Sequence, residues 1–213
     1  MIIIGIGGIA LKKYIIKKLM IAIENNELYD QDQLDRIAYG LEAIYILITK
    51  LIIISIIAIL LGIFKEFVIF LLIYNIIRMT SFGLHATKSW ICLVFSIIIF
   101  LGAPIIAIVT TIPLYIKVGI GIICTFFMYK NAPADTEKRP IINPKRRLVY
   151  KWLSVTICIG MLIISFVCQD QFIANSFLLA VIIQCFMISP TVYKLFKLPY
   201  NNYLKYQTTG ANI

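Results

Sequence analysis

The chain has 213 residues, of which 61% are apolar, and its mean hydropathy is +0.95. Only 14% of the residues are charged, and 20 Lys and Arg against 10 Asp and Glu give a formal charge of +10. A soluble fold of this size would expose large apolar patches, so the composition excludes a soluble cytosolic enzyme, a disordered chain and a nucleic-acid-binding protein. It indicates an integral membrane protein whose basic residues lie in cytoplasmic loops.

The N-terminal region, residues 1–40, predicts a cytoplasmic amphipathic segment rather than a span. Apolar residues recur at helical spacing over 11–23, with lysines mostly on the opposite face. Such a helix is suited to lying on an anionic membrane surface or to docking another amphipathic helix. Asp30 followed by Gln33 predicts the start of the next helix.

Six apolar runs follow, and they predict the membrane-spanning helices. The runs extend from about Leu41 to Ile63, Phe67 to Ile77, Trp90 to Ile112, Leu114 to Tyr129, Trp152 to Cys168 and Phe172 to Ser189. Pro104 predicts a kink in the third helix. The expected fold class is therefore all-α, a polytopic membrane protein with about six transmembrane helices plus an N-terminal amphipathic helix. It is expected to form a single membrane domain over 1–213, with a six-span core at 41–189 and a cytoplasmic tail at 190–213.

The distribution of basic residues predicts the orientation of these spans. Lys and Arg cluster before the first span, between spans two and three, between spans four and five, and after the sixth. Six spans place all four clusters on one face, and the positive-inside rule makes that face cytoplasmic. Both termini are therefore predicted to lie in the cytoplasm, in a multi-pass protein of the cell membrane.

A histidine and a cysteine stand close to a predicted membrane boundary. His85 is the single histidine of the chain, and Cys92 follows seven residues later. An imidazole near a thiol removes its proton and stabilises the thiolate, and Arg78 and Lys88 add positive potential. The second run covers only about 16 Å of a hydrocarbon core about 30 Å thick. Polar residues at that depth indicate a functional cavity, although this spacing alone leaves a structural role open.

The spacing of this pair also predicts the local backbone. Seven residues on one straight helix would separate the two Cα atoms by about 10.5 Å, which is too far for direct contact. The helix is therefore predicted to break between Gly83 and Trp90, because glycine permits a turn with positive φ. Ser89 or Thr87 is expected to cap a new helix that carries Cys92 near its start.

The loop after the fourth run reads Ala132-Pro-Ala-Asp-Thr-Glu-Lys-Arg-Pro-Ile141. Its two prolines predict a defined turn. Asp135 and Glu137 are candidates for orienting His85 or for binding a basic substrate side chain, and an ordinary solvated loop is the alternative. The five cysteines are widely spaced, which argues against a disulfide framework or a zinc site. No metal and no cofactor are predicted.

Together, the Arg78…Gly83-Leu84-His85…Cys92 pattern and this proline-containing loop resemble the accessory gene regulator B (AgrB) family. The resemblance covers nearly the whole chain. One departure concerns the residue two places before Leu84. Members commonly have Gly-Gly-x-His, and this chain has Phe82 in the position of the first glycine.

The resemblance implies a membrane-embedded cysteine endopeptidase of Gram-positive quorum sensing. Such a protein cleaves the C-terminal part of a precursor peptide, AgrD, and forms an acyl-enzyme thioester that leads to a cyclic thiolactone signal. By motif, Cys92 is the nucleophile and His85 the general base. Backbone N–H groups near Cys92 or the Ser89 side chain would stabilise the oxyanion.

The resemblance also implies the partners. They are an AgrD-like precursor peptide, the lipid bilayer and, by analogy, a second copy of the chain. The basic N-terminal helix, Arg78 and the basic loop are expected to dock an amphipathic precursor with an acidic tail. A small membrane peptide transporter and a non-catalytic membrane scaffold remain the alternatives, although the apolar character of spans three to six disfavours a transporter.

Overall fold

The computed structural model of the chain describes residues 13–23, 29–84, 89–136, 140–204 and 206, without the side chain of Ser89. The chain forms two compact units, Met1–Ile56 and Ile57–Ile213. Each unit is taken by itself below, and the single membrane domain stays a prediction.

In the first unit, residues 13–23 form helix α1, and helix α2 begins at Gln31. Helix α2 covers Gln31–Leu60 and so continues past the end of this unit. The Oδ1 atom of Asp30 accepts a hydrogen bond from the Gln33 N–H at 2.7 Å, and the Gln33 side chain accepts one from the Asp30 N–H at 3.1 Å. This reciprocal pair satisfies two free donors at the helix start. The predicted start of the helix is confirmed.

The second unit consists of helices and connecting turns in the part of the chain that the structure describes. The helices are α3 (Phe64–Ser81), α4 (Ser89–Ile97), a π-helical segment (Ile98–Gly102), α5 (Ala103–Val109), α6 (Leu114–Asn131), α7 (Pro144–Val167), α8 (Gln171–Met187) and α9 (Pro190–Leu195). The all-α fold class is confirmed.

Helices in three regions are long and apolar enough to cross a membrane by length and composition. They cover Gln31–Leu60, Trp90–Val109 and Pro144–Val167. Helix α8 is apolar but shorter. Helices nevertheless occupy all six predicted runs, and α2 and α7 begin ten and eight residues before the runs assigned to them. The total of six spans stays a prediction.

The predicted kink at Pro104 coincides with a change in helix type. Pro104 lies in the first turn of α5, and the π-helical segment ends two residues before it. Proline has no N–H, and its ring clashes with the carbonyl of the residue four places earlier. A wider π turn before a proline relieves that clash within a continuous apolar helix.

Helix α8 lies at the centre of the second unit and packs against α3, α5, α6 and α7. Its start is tied to α5, because Gln171 Nε2 and Asn175 Nδ2 each donate to the Thr110 carbonyl at 2.6 Å. Its end carries Gln184 and Met187, both buried. The helix therefore presents polar groups at both ends, and the end near Met187 contributes to the site described next.

Candidate active site

Helix α3 ends in a turn with two consecutive positive φ angles, which we call the Phe82 turn (Phe82–Leu84). Phe82 has φ +55° and ψ −125°, and Gly83 has φ +110°. Glycine adopts such angles freely, whereas a residue with a Cβ is held there at a cost of about 1–3 kcal/mol. The strained residue is Phe82, the position at which the sequence departs from the Gly-Gly-x-His pattern of the family it resembles.

Arg78 holds this turn from within α3. Its Nη1 atom donates to the Phe82 carbonyl at 2.8 Å, and its Nη2 atom donates to the Leu84 carbonyl at 2.7 Å. A longer contact of 3.5 Å joins Nη2 to the Gly83 carbonyl. The planar guanidinium thereby fixes three successive carbonyl groups, which an ammonium group could not do with the same geometry.

Two other elements hold the same turn. The Gly83 N–H donates to the Ala134 carbonyl at 2.9 Å, and the Ala134 N–H donates to the Ser81 carbonyl at 3.1 Å. Two residues of α8 also contact the turn. The Met187 carbonyl accepts from the Leu84 N–H at 3.0 Å, and Gln184 Nε2 donates to the Phe82 carbonyl at 2.7 Å. The turn that leads to His85 is therefore fixed by α3, by α8 and by the loop after α6.

Gly83 has no room for a side chain. A Cβ atom built on it would lie 2.8 Å from Arg78 Nη1 and 2.9 Å from the Met187 carbonyl oxygen. One of these neighbours is backbone, which cannot move aside as a side chain can. Close approach as well as positive φ therefore requires glycine here, and the predicted break after α3 is explained.

Helix α4 covers Ser89–Ile97 in the described part of the chain and carries Cys92. Cys92 is a free, half-buried cysteine. Helix α3 ends at Ser81, and Gly83 and Leu84 are not helical. The predicted break after Gly83 is confirmed, whereas the predicted cap at Thr87 or Ser89 and the start of the helix that carries Cys92 depend on residues 85–88, which lie outside the described residues.

Several predicted site residues lie outside the described residues. They are His85, Lys88 and Glu137, together with the side chain of Ser89. The structure brings Arg78 and Gly83 together in the Phe82 turn, and it places Cys92 on the next described element along the chain. The catalytic and supporting roles of all these residues stay predictions.

Asp135 lies beneath the C-terminal segment of the chain and is 2% exposed. Its Oδ1 accepts from the Asn202 N–H at 3.0 Å, and its Oδ2 accepts from the Tyr203 N–H at 2.9 Å and the Ile141 N–H at 3.4 Å. Burial raises the pKa of Tyr193, so its phenol stays protonated and donates to the Asp135 carbonyl. These contacts anchor the segment Pro190–Leu204, which we call the tail strap, to the loop after α6.

We expect replacement of Asp135 by alanine to release the tail strap. Hydrogen bonds to a charged group contribute about 1.5–3 kcal/mol each, so proteolytic cleavage within residues 196–204 should accelerate at least about tenfold. Limited proteolysis followed by mass spectrometry measures this rate. Asp170→Ala is the matched control, because Asp170 caps the start of α8 and accepts from the Ile173 N–H. Equal protection of the tail strap in both variants would contradict the assignment.

A small basic groove lies beside the loop after α6. It has a volume of about 250 Å³ and is lined by Lys130, Arg147 and Lys151 together with apolar residues that include Pro133. The Arg147 guanidinium stacks on the Tyr203 ring at 3.6 Å from its centroid. The groove therefore places basic side chains of α6 and α7 next to the loop that is hydrogen-bonded to the Phe82 turn.

Sequence reasoning did not single out Gln184 or the tail strap. Gln184 is the one residue between Phe177 and Met187 with an amide, hydroxyl or charged side chain. A lone polar residue inside an apolar run is a recognisable signal of a buried polar contact. No comparable feature of the sequence predicted the tail strap, because the groups of the strap that bind the Asp135 carboxylate are backbone N–H groups. Among the described residues, no group of three His, Cys, Asp or Glu side chains is arranged to hold a metal ion.

The described residues define an all-helical protein with helices long and apolar enough to cross a membrane, a hydrogen-bonded turn after α3 and a free cysteine on α4. The chain belongs to the accessory gene regulator B family, whose model matches residues 13–188. The family predicted from the motifs is therefore confirmed. Membership supports a role in accessory gene regulator quorum-sensing peptide processing, in the membrane of a Gram-positive bacterium.

Named relatives support the same assignment. The chain is 34% identical to a putative AgrB-like protein of Listeria innocua, over 84% of this chain and 87% of that protein. It is 28% identical to a putative AgrB-like protein of Clostridium acetobutylicum, over 83% and 85% of the two chains. It is 30% identical to the accessory gene regulator protein B of Staphylococcus aureus, over 76% and 84%. No solved structure matches.

Proposed function

We propose that the chain is a membrane-embedded cysteine endopeptidase that cleaves an AgrD-like precursor peptide and passes its acyl group on to form a cyclic thiolactone. The observation that carries the proposal is the position of Cys92. This half-buried free thiol lies on α4, eight residues after Leu84 of the Phe82 turn, which three elements hold by hydrogen bonds. Acyl transfer requires a nucleophile and a base held in a fixed relation to each other, and His85, directly after this turn, is the base in the proposal.

In the first step, His85 removes the Cys92 proton and the thiolate attacks a peptide carbonyl of the precursor. The tetrahedral intermediate collapses, the C–N bond breaks, and His85 returns the proton to the leaving amine. The C-terminal fragment departs, and the N-terminal part remains as a thioester on Cys92. Backbone N–H groups near Cys92, or the Ser89 hydroxyl, stabilise the oxyanion.

In the second step, the thiol of the precursor's own cysteine attacks the thioester and expels the Cys92 thiolate. One thioester is exchanged for another, so this step is close to energy-neutral and needs no ATP. Forming a thioester from an amide is uphill, and departure of the C-terminal fragment makes it proceed. A site recessed in the membrane keeps water from hydrolysing the acyl-enzyme.

The basic groove is suited to binding the acidic C-terminal part of such a precursor. Lys130, Arg147 and Lys151 line it, and its wall includes Ala132 of the loop that pairs with the Phe82 turn. Opposite charges steer a peptide to its site and fix its register. The basic N-terminal helix would hold the amphipathic part of the same precursor at the membrane surface.

The proposal is tested by incubating the purified chain in lipid vesicles with the precursor peptide and looking for a covalent adduct by mass spectrometry. We expect an acyl-enzyme whose added mass equals the N-terminal fragment, located on Cys92 and removed by hydroxylamine. Cys168→Ala should retain the adduct, because this second half-buried cysteine lies at the end of α7. Cleavage without any adduct, or an adduct that persists in Cys92→Ala, would refute the mechanism.

The orientation of the spans gives a separate test. Single cysteines introduced at Lys138 and Gln169 should react with membrane-impermeant reagents from opposite sides, and Lys138 from the cytoplasmic side. Cys92 and Cys168 are replaced in the background chain, because the other three cysteines are buried. Labelling of both positions from outside intact cells would rule out six spans with cytoplasmic termini.

A further inference from the structure

Gln184 makes a hydrogen bond that the folding of its own helix does not require. Its side chain is fully buried in α8, and Nε2 donates to the Phe82 carbonyl, 102 residues away, at 2.7 Å. Its Oε1 atom has no hydrogen-bond partner. An unpaired buried acceptor is unfavourable, so an apolar residue of similar size would suit the surrounding helices better.

The carbonyl that Gln184 contacts belongs to the strained residue of the Phe82 turn. Arg78 Nη1 donates to the same oxygen from the other helix, at 2.8 Å. Both lone pairs of this oxygen are therefore occupied, one by α3 and one by α8. Two donors on one carbonyl fix the orientation of the peptide between Phe82 and Gly83, which is the peptide that sets the positive φ of Gly83.

We propose that Gln184 is a positioning residue for the acyl-transfer reaction, holding the Phe82 peptide so that the chain enters the His85 segment in one orientation. The inference rests on the proposed function. It follows from the strain that a glycine at position 82 would need this hydrogen bond less, because glycine adopts the same φ and ψ without cost. Gln184 and Phe82 should thus be energetically coupled in catalysis.

The test is a double-mutant cycle on formation of the Cys92 acyl-enzyme. Gln184→Met removes the donor and the unpaired acceptor while keeping the length of the side chain. In the natural chain it should lower kcat at least about tenfold with little change in KM, because a misplaced base affects the chemical step. In the Phe82→Gly background the same change should cost no more than about twofold.

Ser176→Ala is the matched control. Ser176 is another fully buried polar residue of α8 whose hydroxyl has no partner, and it lies eight residues, about 12 Å, before Gln184 along the helix. It should leave kcat unchanged in both backgrounds. The proposal would be overturned if Gln184→Met lowered kcat equally in the two backgrounds. It would also be overturned if the decrease in kcat were explained by a lower Tm of the variant.

A second measurement does not depend on activity. The amides of Gly83 and Leu84 are hydrogen-bonded, so hydrogen exchange followed by mass spectrometry reports the rigidity of the turn. Gln184→Met should accelerate their exchange at least about tenfold and Ser176→Ala should not. Faster exchange in a chain that never forms an adduct would reject the proposed function and still show that Gln184 holds the Phe82 turn. Unchanged exchange and unchanged kcat in an active chain would reject the role of Gln184 alone.

Discussion

Replacement of Gly83 by alanine should abolish peptide processing. The added Cβ would lie 2.8 Å from the Arg78 guanidinium and 2.9 Å from the Met187 carbonyl, and φ at this position is +110°. A left-handed conformation costs an L-residue about 1–2 kcal/mol even in open space. Either the turn moves off α8 or Arg78 leaves its carbonyl groups, and a displacement of about 1 Å at a site can cost about 100-fold in rate.

The measurement is product formation by mass spectrometry, together with Tm in detergent. Gly160→Ala is the control, because a Cβ there meets nothing within 4 Å in the middle of α7. Alanine in a helix is more favourable than glycine, so this control should be equally or more stable and fully active. Full processing by Gly83→Ala would show that the Phe82 turn is not needed in its observed form.

Replacement of Cys92 by alanine should leave no detectable cleavage, whereas His85→Gln should leave a measurable remainder. Loss of a nucleophile removes the covalent route entirely, and loss of a general base typically costs about 10²–10⁴-fold. In His85→Gln the remaining rate should rise with pH, because hydroxide then supplies the thiolate that the imidazole no longer generates. Rates of fragment release from pH 6 to pH 9 measure this difference.

Serine at position 92 sharpens the comparison. It keeps a hydroxyl of similar shape, but its ester would not exchange with the precursor thiol as a thioester does. We expect neither cleavage nor cyclisation from Cys92→Ser. A fully functional Cys92→Ser protein would instead support a non-catalytic scaffold, and near-normal rates in His85→Gln would assign that histidine a structural role.

The helix ends that sequence predicts well are those set by neighbouring residues. The Asp30–Gln33 pair acts within one turn, and α2 begins directly after Asp30 as predicted. The length of an apolar run predicts the end of a helix less well, because the helix can continue beyond the last apolar residue of the run. Helix α3 continues beyond Ile77 through Arg78 to Ser81, since the polar side chains there form hydrogen bonds within the protein.

In the site, too, features set by residues close in sequence are predicted, and features set by distant residues are not. The break after Gly83 follows from a distance argument between two nearby residues, so sequence alone predicts it. The carboxylate of Asp135 was expected to face His85 or a substrate, and three of its described contacts are backbone N–H groups, two of them from the tail strap. The contacts that Asp135 and Gln184 make with residues more than 60 positions away produce no periodic pattern in the sequence, so the sequence does not predict them.

The way the tail strap is held has a consequence for how this chain can vary. The family model ends at residue 188, and the strap lies beyond it. The Asp135 carboxylate accepts hydrogen bonds from the main-chain N–H groups of Asn202 and Tyr203, and every amino acid except proline supplies such a group. The hydrogen bonds to the Asp135 carboxylate therefore use only the main chain of the strap, while the side chains of Tyr193, Tyr203 and Phe196 add contacts to Asp135, Arg147 and Phe95. Most substitutions at Asn202 and Tyr203 should therefore leave the two hydrogen bonds to the Asp135 carboxylate in place.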